Sequence, residues 1–317
     1  MAKTPPGSKN KDSAKPAKAA GGGVLGKLRA LVAGLRPAKP ARAEAKTLKP
    51  IPRPTDVAIP AAAPVDVGWL VDRPVLLEAM WGEGWHGPLG QTMLDVLVRA
   101  FGLTREMSVL DLSAGVGGAA RLIATEFKTY VTGLEADAEL AAYGAAESKR
   151  HGMARTAIIK AYDPAAFDVD RRYDCILGRE LFYAVRDKQR FIRAVAASMK
   201  NYGQICWTDY LVDKKDLEKP AIAAWVAKEG GCVPMALDEV TKIWHELHFD
   251  LRIAEDRTEK FMQGTLVGLA QFVKFLQGRK IAEPTKPLIL NEIEIWAYRL
   301  AAMKAGMKVY RFYALRK

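Results

Sequence analysis

The chain has 317 residues, half of them hydrophobic, and a formal net charge of +12 at pH 7. It is long enough for one large domain or two small ones. It contains no uncharged apolar run of about 18 residues, so no membrane-spanning helix is expected. Residues 1–55 hold 13 Lys and Arg against two acids, so the other 262 residues carry a net charge of about +1. The basic charge therefore does not mark the folded part as a nucleic-acid-binding protein.

The first 67 residues are rich in Lys, Ala and Pro, a composition that predicts a disordered basic tail. Apolar residues recur every three or four positions over 24–36, which predicts a short basic amphipathic helix. Such a helix can lie on an anionic membrane surface, although a transient helix in a flexible tail explains the pattern equally well. The tail has no signal-peptide pattern, and Cys175, Cys206 and Cys232 show no CxxC spacing. We therefore expect a cytoplasmic protein that can attach peripherally to the inner face of the membrane.

From Gly68 onward the pattern is that of one globular domain, 68–317. Apolar runs predict strands at 108–112, 129–135, 156–160, 173–178, 203–209 and 251–255, with an antiparallel edge strand at 308–315. Helical spacing predicts helices at 73–80, 90–101, 118–127, 137–151, 187–200, 216–229, 238–246, 260–278 and 288–305. This alternation predicts an α/β fold: a Rossmann-like, seven-stranded, mostly parallel sheet with helices on both faces. A helical lid is expected within 213–305.

The strongest functional signal is Val-Leu-Asp-Leu-Ser-Ala-Gly-Val-Gly-Gly at 109–118, an apolar strand running into a glycine-rich turn and a helix. Glycines let the backbone approach a ligand closely, and the helix N-terminus offers unpaired N–H groups. The next strand ends in Glu135, 24 positions after Asp111, where a carboxylate that binds ribose hydroxyls belongs in a nucleotide-binding unit. Asp163 follows the third strand, in a position to accept a hydrogen bond from an adenine amino group. The three acids together predict a nucleotide-binding crevice.

This arrangement resembles the class I S-adenosylmethionine-dependent methyltransferases. The resemblance implies that S-adenosylmethionine is the cofactor and assigns its binding to Asp111, Ser113, Gly115, Gly117, Glu135 and Asp163. Ser113 stands where the family commonly has its first glycine. A dinucleotide enzyme is less well supported, because Ala120 stands where a G-x-G-x-x-G motif needs its third glycine.

A narrower resemblance covers most of 75–317. The sequence Trp-Gly-Glu-Gly-Trp-His-Gly-Pro-Leu-Gly at 81–90 is similar to a segment that folds over the cofactor in phosphoethanolamine N-methyltransferases and related sarcosine and cyclopropane-fatty-acid enzymes. Residues 173–180, ending in Gly-Arg-Glu, resemble their fourth strand, and Trp-Thr-Asp-Tyr at 207–210 resembles the end of their fifth. Their catalytic histidine falls at Ala184, so the phosphobase reaction cannot be carried over to this chain.

Methyl transfer requires the acceptor atom to be held in line with the methyl group, water to be excluded and, for a protonated acceptor, a base. The catalytic candidates at the strand ends and on the 81–90 segment are Glu180, Tyr183, Tyr210 and His86, with Asp209 nearby. His86 is the best imidazole base, although a plain surface-loop histidine is the commoner outcome.

Within the 81–90 segment, Trp81 and Gly84 are assigned to the cofactor. Trp81, like Trp85, can cover a sulfonium by cation–π contact or can simply pack on the sheet. His245 and His248 have a spacing that can bind a metal. With no further ligand near them in the sequence, no metal site is expected.

Three functions remain open. The leading one is methyl transfer from S-adenosylmethionine to a small-molecule or lipid-like acceptor. The second is a non-catalytic, S-adenosylmethionine-binding regulatory protein, suggested by Ala184 and Ser113. The third is a nucleic-acid methyltransferase, suggested by the tail. The sequence has neither N-P-P-Y nor a Pro-Cys pair, so nucleic acid is not an expected partner. The acceptor itself is not identified.

Overall fold

The computed structural model describes residues 71–168 and 171–317. The predicted tail, its helix at 24–36 and the domain boundary at 68 lie outside these residues. Within the described ranges, no helix combines the length and the apolar character needed to cross a membrane.

A seven-stranded sheet forms the centre of the fold, with the strand order β3-β2-β1-β4-β5-β7-β6. The strands are β1 (Ser108–Asp111), β2 (Tyr130–Glu135), β3 (Ala157–Ala161), β4 (Tyr173–Arg179), β5 (Met199–Leu211), β6 (Phe249–Asp256) and β7 (Lys308–Arg316). β1 to β5 pair in parallel, and β7 pairs antiparallel with both β5 and β6. The predicted α/β class with a mostly parallel Rossmann-like sheet is confirmed.

Helices connect the strands and cover both faces of the sheet. They are α1 (Arg73–Trp81), α2 (Gly90–Val98), α3 (Gly118–Phe127), α4 (Ala138–Arg150), α5 (Lys188–Ala197), α6 (Pro220–Lys228), α7 (Leu237–Glu246), α8 (Thr258–Leu276) and α9 (Thr285–Ala305). Short 3₁₀ turns occur at Pro164–Ala166, Phe182–Ala184 and Lys214–Asp216.

The central strands are buried on both faces because their side chains alternate between two apolar cores. Val109 and Cys175 belong to the core shared with α1, α2 and α3, whereas the adjacent Leu110 and Ile176 belong to the core on the opposite face. The stripe on α8, with Leu269 and its neighbours Phe272, Val273 and Leu276, is also buried in the first core. These residues therefore pack in the interior of the fold and do not line an open slot.

The predicted position of the last strand is wrong. β7 lies between β5 and β6, so β6 is the edge strand. Alternating apolar and polar residues suggested an edge for β7, but Val309, Phe312 and Ala314 have no exposed surface and both sides of the strand are paired.

The predicted lid region, 213–305, is interrupted by elements that belong to the sheet layer. β6 joins the sheet, and α7 packs on it through Trp244, whose ring centroid lies 4.7 Å from that of Trp207. The helices α6, α8 and α9 make up the rest of the predicted lid region and are termed the lid.

Candidate functional site

The glycine-rich turn connects β1 to α3. Gly115 and Gly117 have φ values of 52° and 81°, a left-handed conformation that residues with a Cβ rarely adopt. A Cβ on Gly118 would clash with the carbonyl oxygen of Gly84. Glycine is therefore required here for backbone geometry and for close approach.

Ser113 has a defined structural role in this turn. Its hydroxyl accepts the backbone N–H of Arg179 at 2.7 Å, and its own N–H donates to Oδ1 of Asp111 at 3.1 Å. The Arg179 guanidinium also donates to Oδ2 of Asp111 at 3.1 Å and to the Ser113 carbonyl at 2.6 Å. These bonds fasten the end of β4 to the end of β1. The departure from the family glycine thus adds hydrogen bonds and does not by itself indicate a lost cofactor site.

Asp111 anchors the turn and is not a surface acid lining an open crevice, because its side chain has no exposed surface. Its partner Arg179 keeps one donor, Nε, buried without a hydrogen-bond acceptor among the described residues. Arg179 lies within the fourth-strand motif, and the sequence alone indicates no role for it. A cationic residue at the end of a parallel strand beside a glycine-rich turn was the available signal.

Glu135 lies beside the turn. Its Oε2 accepts the N–H of Gly115 at 2.7 Å, and its Oε1 accepts the N–H of Asp137 at 2.9 Å. Each carboxylate oxygen retains a lone pair for a further donor, such as a ribose hydroxyl. Burial raises the pKa of Glu135 above its ordinary value, and the two backbone N–H groups oppose that rise. The geometry suits the predicted ribose role.

Asp163 lies exposed after β3, and its carboxylate accepts the N–H of Ala165 at 2.9 Å to cap the short turn Pro164–Ala166. Its assignment to the adenine amino group stays a prediction.

The segment Trp81–Gly90, named the cover segment here, lies across the turn. The N–H of Gly84 donates to Oε1 of Glu78 at 2.8 Å, and the His86 imidazole rests on the backbone of Gly115, where a Cβ would overlap the ring. Burial, followed by the nearby charge of Arg179, lowers the pKa of His86 to about 3. The imidazole is therefore neutral near pH 7, and so low a pKa makes it a weak base.

The two tryptophans of the cover segment have packing contacts. Trp81 meets Trp296 of α9 edge to face, with ring centroids 4.9 Å apart, and it lies against Gly268 of α8. The Trp85 ring lies over Gly90. These contacts support the packing alternative, and the assignment of Trp81 to the cofactor stays a prediction.

Glu180 has a strained backbone at the end of β4. Its φ of 43° is left-handed, and such strain in a non-glycine residue tends to occur at functional sites. Its Oε1 accepts the hydroxyl of Thr208 at 2.6 Å. Burial raises the pKa of Glu180, opposed by the bond from Thr208 and the charge of Arg179. Its half-buried carboxylate remains the strand-end catalytic candidate nearest to solvent.

Tyr183 belongs to a network that the sequence does not predict. Its hydroxyl donates to Oε2 of Glu229 at 3.2 Å and accepts from Nη2 of Arg299 at 3.1 Å. Nε of Arg299 donates to Oε1 of Glu229 at 2.6 Å. Glu229 and Arg299 come from the lid, 70 positions apart, and no local motif marks them. The network joins the loop after β4 to α9.

Tyr210 has no exposed surface, and its hydroxyl has no partner among the described residues. Its ring centroid lies 4.9 Å from that of Tyr183. Burial raises the pKa of both tyrosines, so neither hydroxyl ionises readily near neutral pH. Their predicted catalytic roles remain predictions, and in this arrangement both rings hold the lid against the sheet.

The two histidines considered for metal binding are separated by the end of α7: His245 lies on the helix, and His248 follows it with a φ of 60°. Within 71–168 and 171–317, no group of three or more His, Cys, Asp or Glu side chains has an arrangement suited to a metal ion.

The sheet order and the glycine-rich turn with its neighbouring acid define the S-adenosylmethionine-dependent methyltransferase class. Residues 86–252, more than half of the chain, match the family model described as "Methyltransferase domain". The chain therefore belongs to this methyltransferase family, which confirms the family prediction.

Relatives place the chain near the predicted subgroup. It is 25% identical over 190 residues to phosphoethanolamine N-methyltransferase 3 of Arabidopsis thaliana, an alignment covering 59% of this chain and 37% of the relative. The chain thus spans well under half the length of this curated relative.

Solved structures agree on the fold. A phosphoethanolamine N-methyltransferase 2 of Haemonchus contortus superposes with a TM-score of 0.66 at 18% identity, covering 77% of this chain and 57% of that one. A putative sarcosine dimethylglycine methyltransferase of Galdieria sulphuraria gives 0.64 at 16% identity, covering 78% and 99%.

The described residues fit S-adenosylmethionine, the predicted cofactor of this family. The turn around Gly115 and Gly117 offers bare backbone, Glu135 offers oxygen acceptors, and Arg179 has an unused buried donor.

Proposed function

We propose that this protein transfers a methyl group from S-adenosylmethionine to a small-molecule or lipid-like acceptor. The proposal rests on one juxtaposition: the glycine-rich turn, Glu135 and Arg179 meet at the carboxyl ends of β1, β2 and β4, where sheets of this kind bind ligands. S-adenosylmethionine supplies an electrophilic methyl group on a sulfonium. Glu135 is suited to ribose hydroxyls, and Nε of Arg179 is suited to a carboxylate.

On the acceptor side, we propose that the neutral imidazole of His86 accepts a hydrogen bond from the N–H or O–H group of the acceptor and so orients it. Because a pKa near 3 makes this imidazole a weak base, the role suits an acceptor that is already nucleophilic when neutral, such as an unprotonated amine. The strained Glu180 orients the acceptor with the oxygen that Thr208 leaves free. The cover segment and the lid exclude water. The substrate named for the plant and nematode relatives is not transferred to this chain. Ala184 occupies the position at which the resemblance places the catalytic histidine of the phosphoethanolamine enzymes.

The test is incubation of the intact protein with methyl-labelled S-adenosylmethionine and a cell extract, fractionated into lipid, small-molecule, protein and nucleic-acid pools. The proposal expects label in the lipid or small-molecule pool, and much less with His86→Gln. Label confined to nucleic acid or protein contradicts the acceptor class. Cofactor binding without label in any pool favours the regulatory alternative.

We also propose that the protein is cytoplasmic and attaches reversibly to the inner membrane face through residues 24–36. Support comes from the sequence: an apolar stripe beside Lys27 and Arg29, in a tail that carries most of the net charge. Each basic residue near an anionic surface adds about 1 kcal/mol of attraction.

Vesicle flotation at low and high salt tests this attachment. The intact protein is expected to float with anionic vesicles at low salt, and the double change Leu28→Glu and Leu31→Glu is expected to abolish flotation while the basic residues remain. Unchanged flotation of the double variant would show that charge alone attracts the tail.

A further inference from the structure

Arg73, at the start of α1, holds two carboxylates from different parts of the fold. Its Nη1 pairs with the carboxylate of Asp137, and its Nε donates to Oε1 of Glu292 at 2.8 Å. Glu292 lies on the lid helix α9 and is only 4% exposed. Asp137 is the residue that precedes α4. One guanidinium therefore connects the lid to the N-terminus of α4.

The connection continues to the glycine-rich turn through Asp137. Oδ1 of Asp137 accepts the N–H of Glu139 at 2.9 Å and thereby caps α4. The backbone N–H of Asp137 donates to Oε1 of Glu135 at 2.9 Å, and Oε2 of Glu135 accepts the N–H of Gly115 at 2.7 Å. An unbroken series of bonds thus runs from the lid through Arg73 to the turn.

The charges explain why this series depends on arginine. A buried carboxylate such as Glu292 is costly without a cation, and Arg73 is its described ion-pair partner. A lysine has no planar fork with which to serve two carboxylates at once. Burial acts to raise the pKa of Asp137, but the bonds from Arg73 and from backbone N–H groups hold that pKa below its ordinary value. Asp137 is therefore ionised and fixed in orientation near neutral pH.

We propose that Arg73 is a positioning residue for cofactor binding: by fixing Asp137 it sets the orientation of Glu135, and through Glu292 it ties that orientation to the position of α9. Arg73 itself touches neither cofactor nor acceptor. The inference rests on the proposed function, in which Glu135 binds the ribose.

A double-mutant cycle on S-adenosylhomocysteine affinity, measured by calorimetry on the intact protein, tests this role. R73M is expected to weaken binding by about tenfold, and R73K by less. In an E135A background, R73M is expected to change affinity by less than about twofold, because the residue through which it acts is gone. A merely structural role would instead give independent, multiplicative losses.

Two further variants complete the design. K228M removes another ion pair to α9, between Lys228 and Glu294 at 2.7 Å, and is expected to leave affinity unchanged. D137N keeps an oxygen to cap α4 but loses the charge that meets Arg73, so it is expected to reproduce the R73M loss even if R73M folds poorly.

The outcomes are distinct. If the unmodified protein does not bind S-adenosylhomocysteine, the proposed function fails. If it binds and both R73M and D137N bind equally well, or if their losses multiply with that of E135A, the positioning role is overturned while the proposed function stands.

Discussion

The cofactor side and the lid side of this molecule are constructed differently. On the cofactor side, short-range backbone bonds shape the turn: Ser113 donates to Asp111 two positions earlier, and Gly115 donates to Glu135 twenty positions later. On the lid side, side chains distant in sequence meet, as Arg299 does with Tyr183, 116 positions away. A compact stretch of sequence therefore specifies the turn and Glu135, whereas the surroundings proposed for the acceptor depend on how the whole lid packs.

The largest expected effect is a loss of cofactor affinity caused by a change on the cofactor side. In Gly118→Ala, the new methyl group clashes with the Gly84 carbonyl and displaces the cover segment from the turn. We expect S-adenosylhomocysteine affinity to fall about 100-fold, or about 2.7 kcal/mol. Gly87→Ala is the matched control, because its Cβ meets no atom within 4 Å. Equal affinities of the two variants in calorimetry would contradict the close approach described here.

The next prediction distinguishes the two sides by comparing turnover with cofactor affinity. Glu180→Gln is expected to lower turnover at least about tenfold while leaving cofactor affinity within about twofold, because the role proposed for Glu180 is to orient the acceptor. Glu246→Gln, on the exposed end of α7, is the control and should alter neither quantity. Parallel losses of turnover and affinity in Glu180→Gln would move this residue to the cofactor side.

A smaller effect concerns the two lid tyrosines. Tyr183→Phe removes a hydroxyl bonded to Glu229 and Arg299, so the free energy of unfolding should fall by about 1–2 kcal/mol. Tyr210→Phe removes a hydroxyl without a partner among the described residues and should leave that free energy unchanged or slightly higher. Urea denaturation measures both. A larger loss for Tyr210→Phe would mean that its hydroxyl has a partner, such as bound water.

The smallest expected effect concerns the pH dependence of the reaction rate, which should lack a histidine inflection. Because burial and Arg179 lower the pKa of His86 to about 3, the imidazole stays neutral as the pH falls from about 8 to about 6. The rate of methyl transfer should therefore show no histidine inflection between about pH 8 and about pH 6. An inflection near an ordinary histidine pKa that disappears in His86→Gln would show that this imidazole is solvated rather than buried.

The sequence contained enough to predict the strands, the turn and Glu135, since these depend on local periodicity and fixed spacing. It did not predict the hydrogen bond between Ser113 and Arg179, because that bond forms only when β1 and β4 become neighbours. Alternating residues in β7 looked like an edge strand because the pattern cannot show that β6 pairs with its second side. The sequence does not indicate the pairing of Glu229 with Arg299, because each is an ordinary charged residue in its own segment.

The central claim is that the turn and Glu135 bind the methyl donor, and calorimetric titration with S-adenosylhomocysteine tests it most directly. The account predicts micromolar affinity, about −8 kcal/mol, in the intact protein and a loss of about tenfold or more in Glu135→Ala. Because burial raises the pKa of Glu135 and ribose hydroxyls bond to its ionised form, affinity should also weaken as the pH falls, beginning above the ordinary pKa of glutamate. Undetectable binding to the intact protein, or equal affinity in Glu135→Ala, would contradict the account.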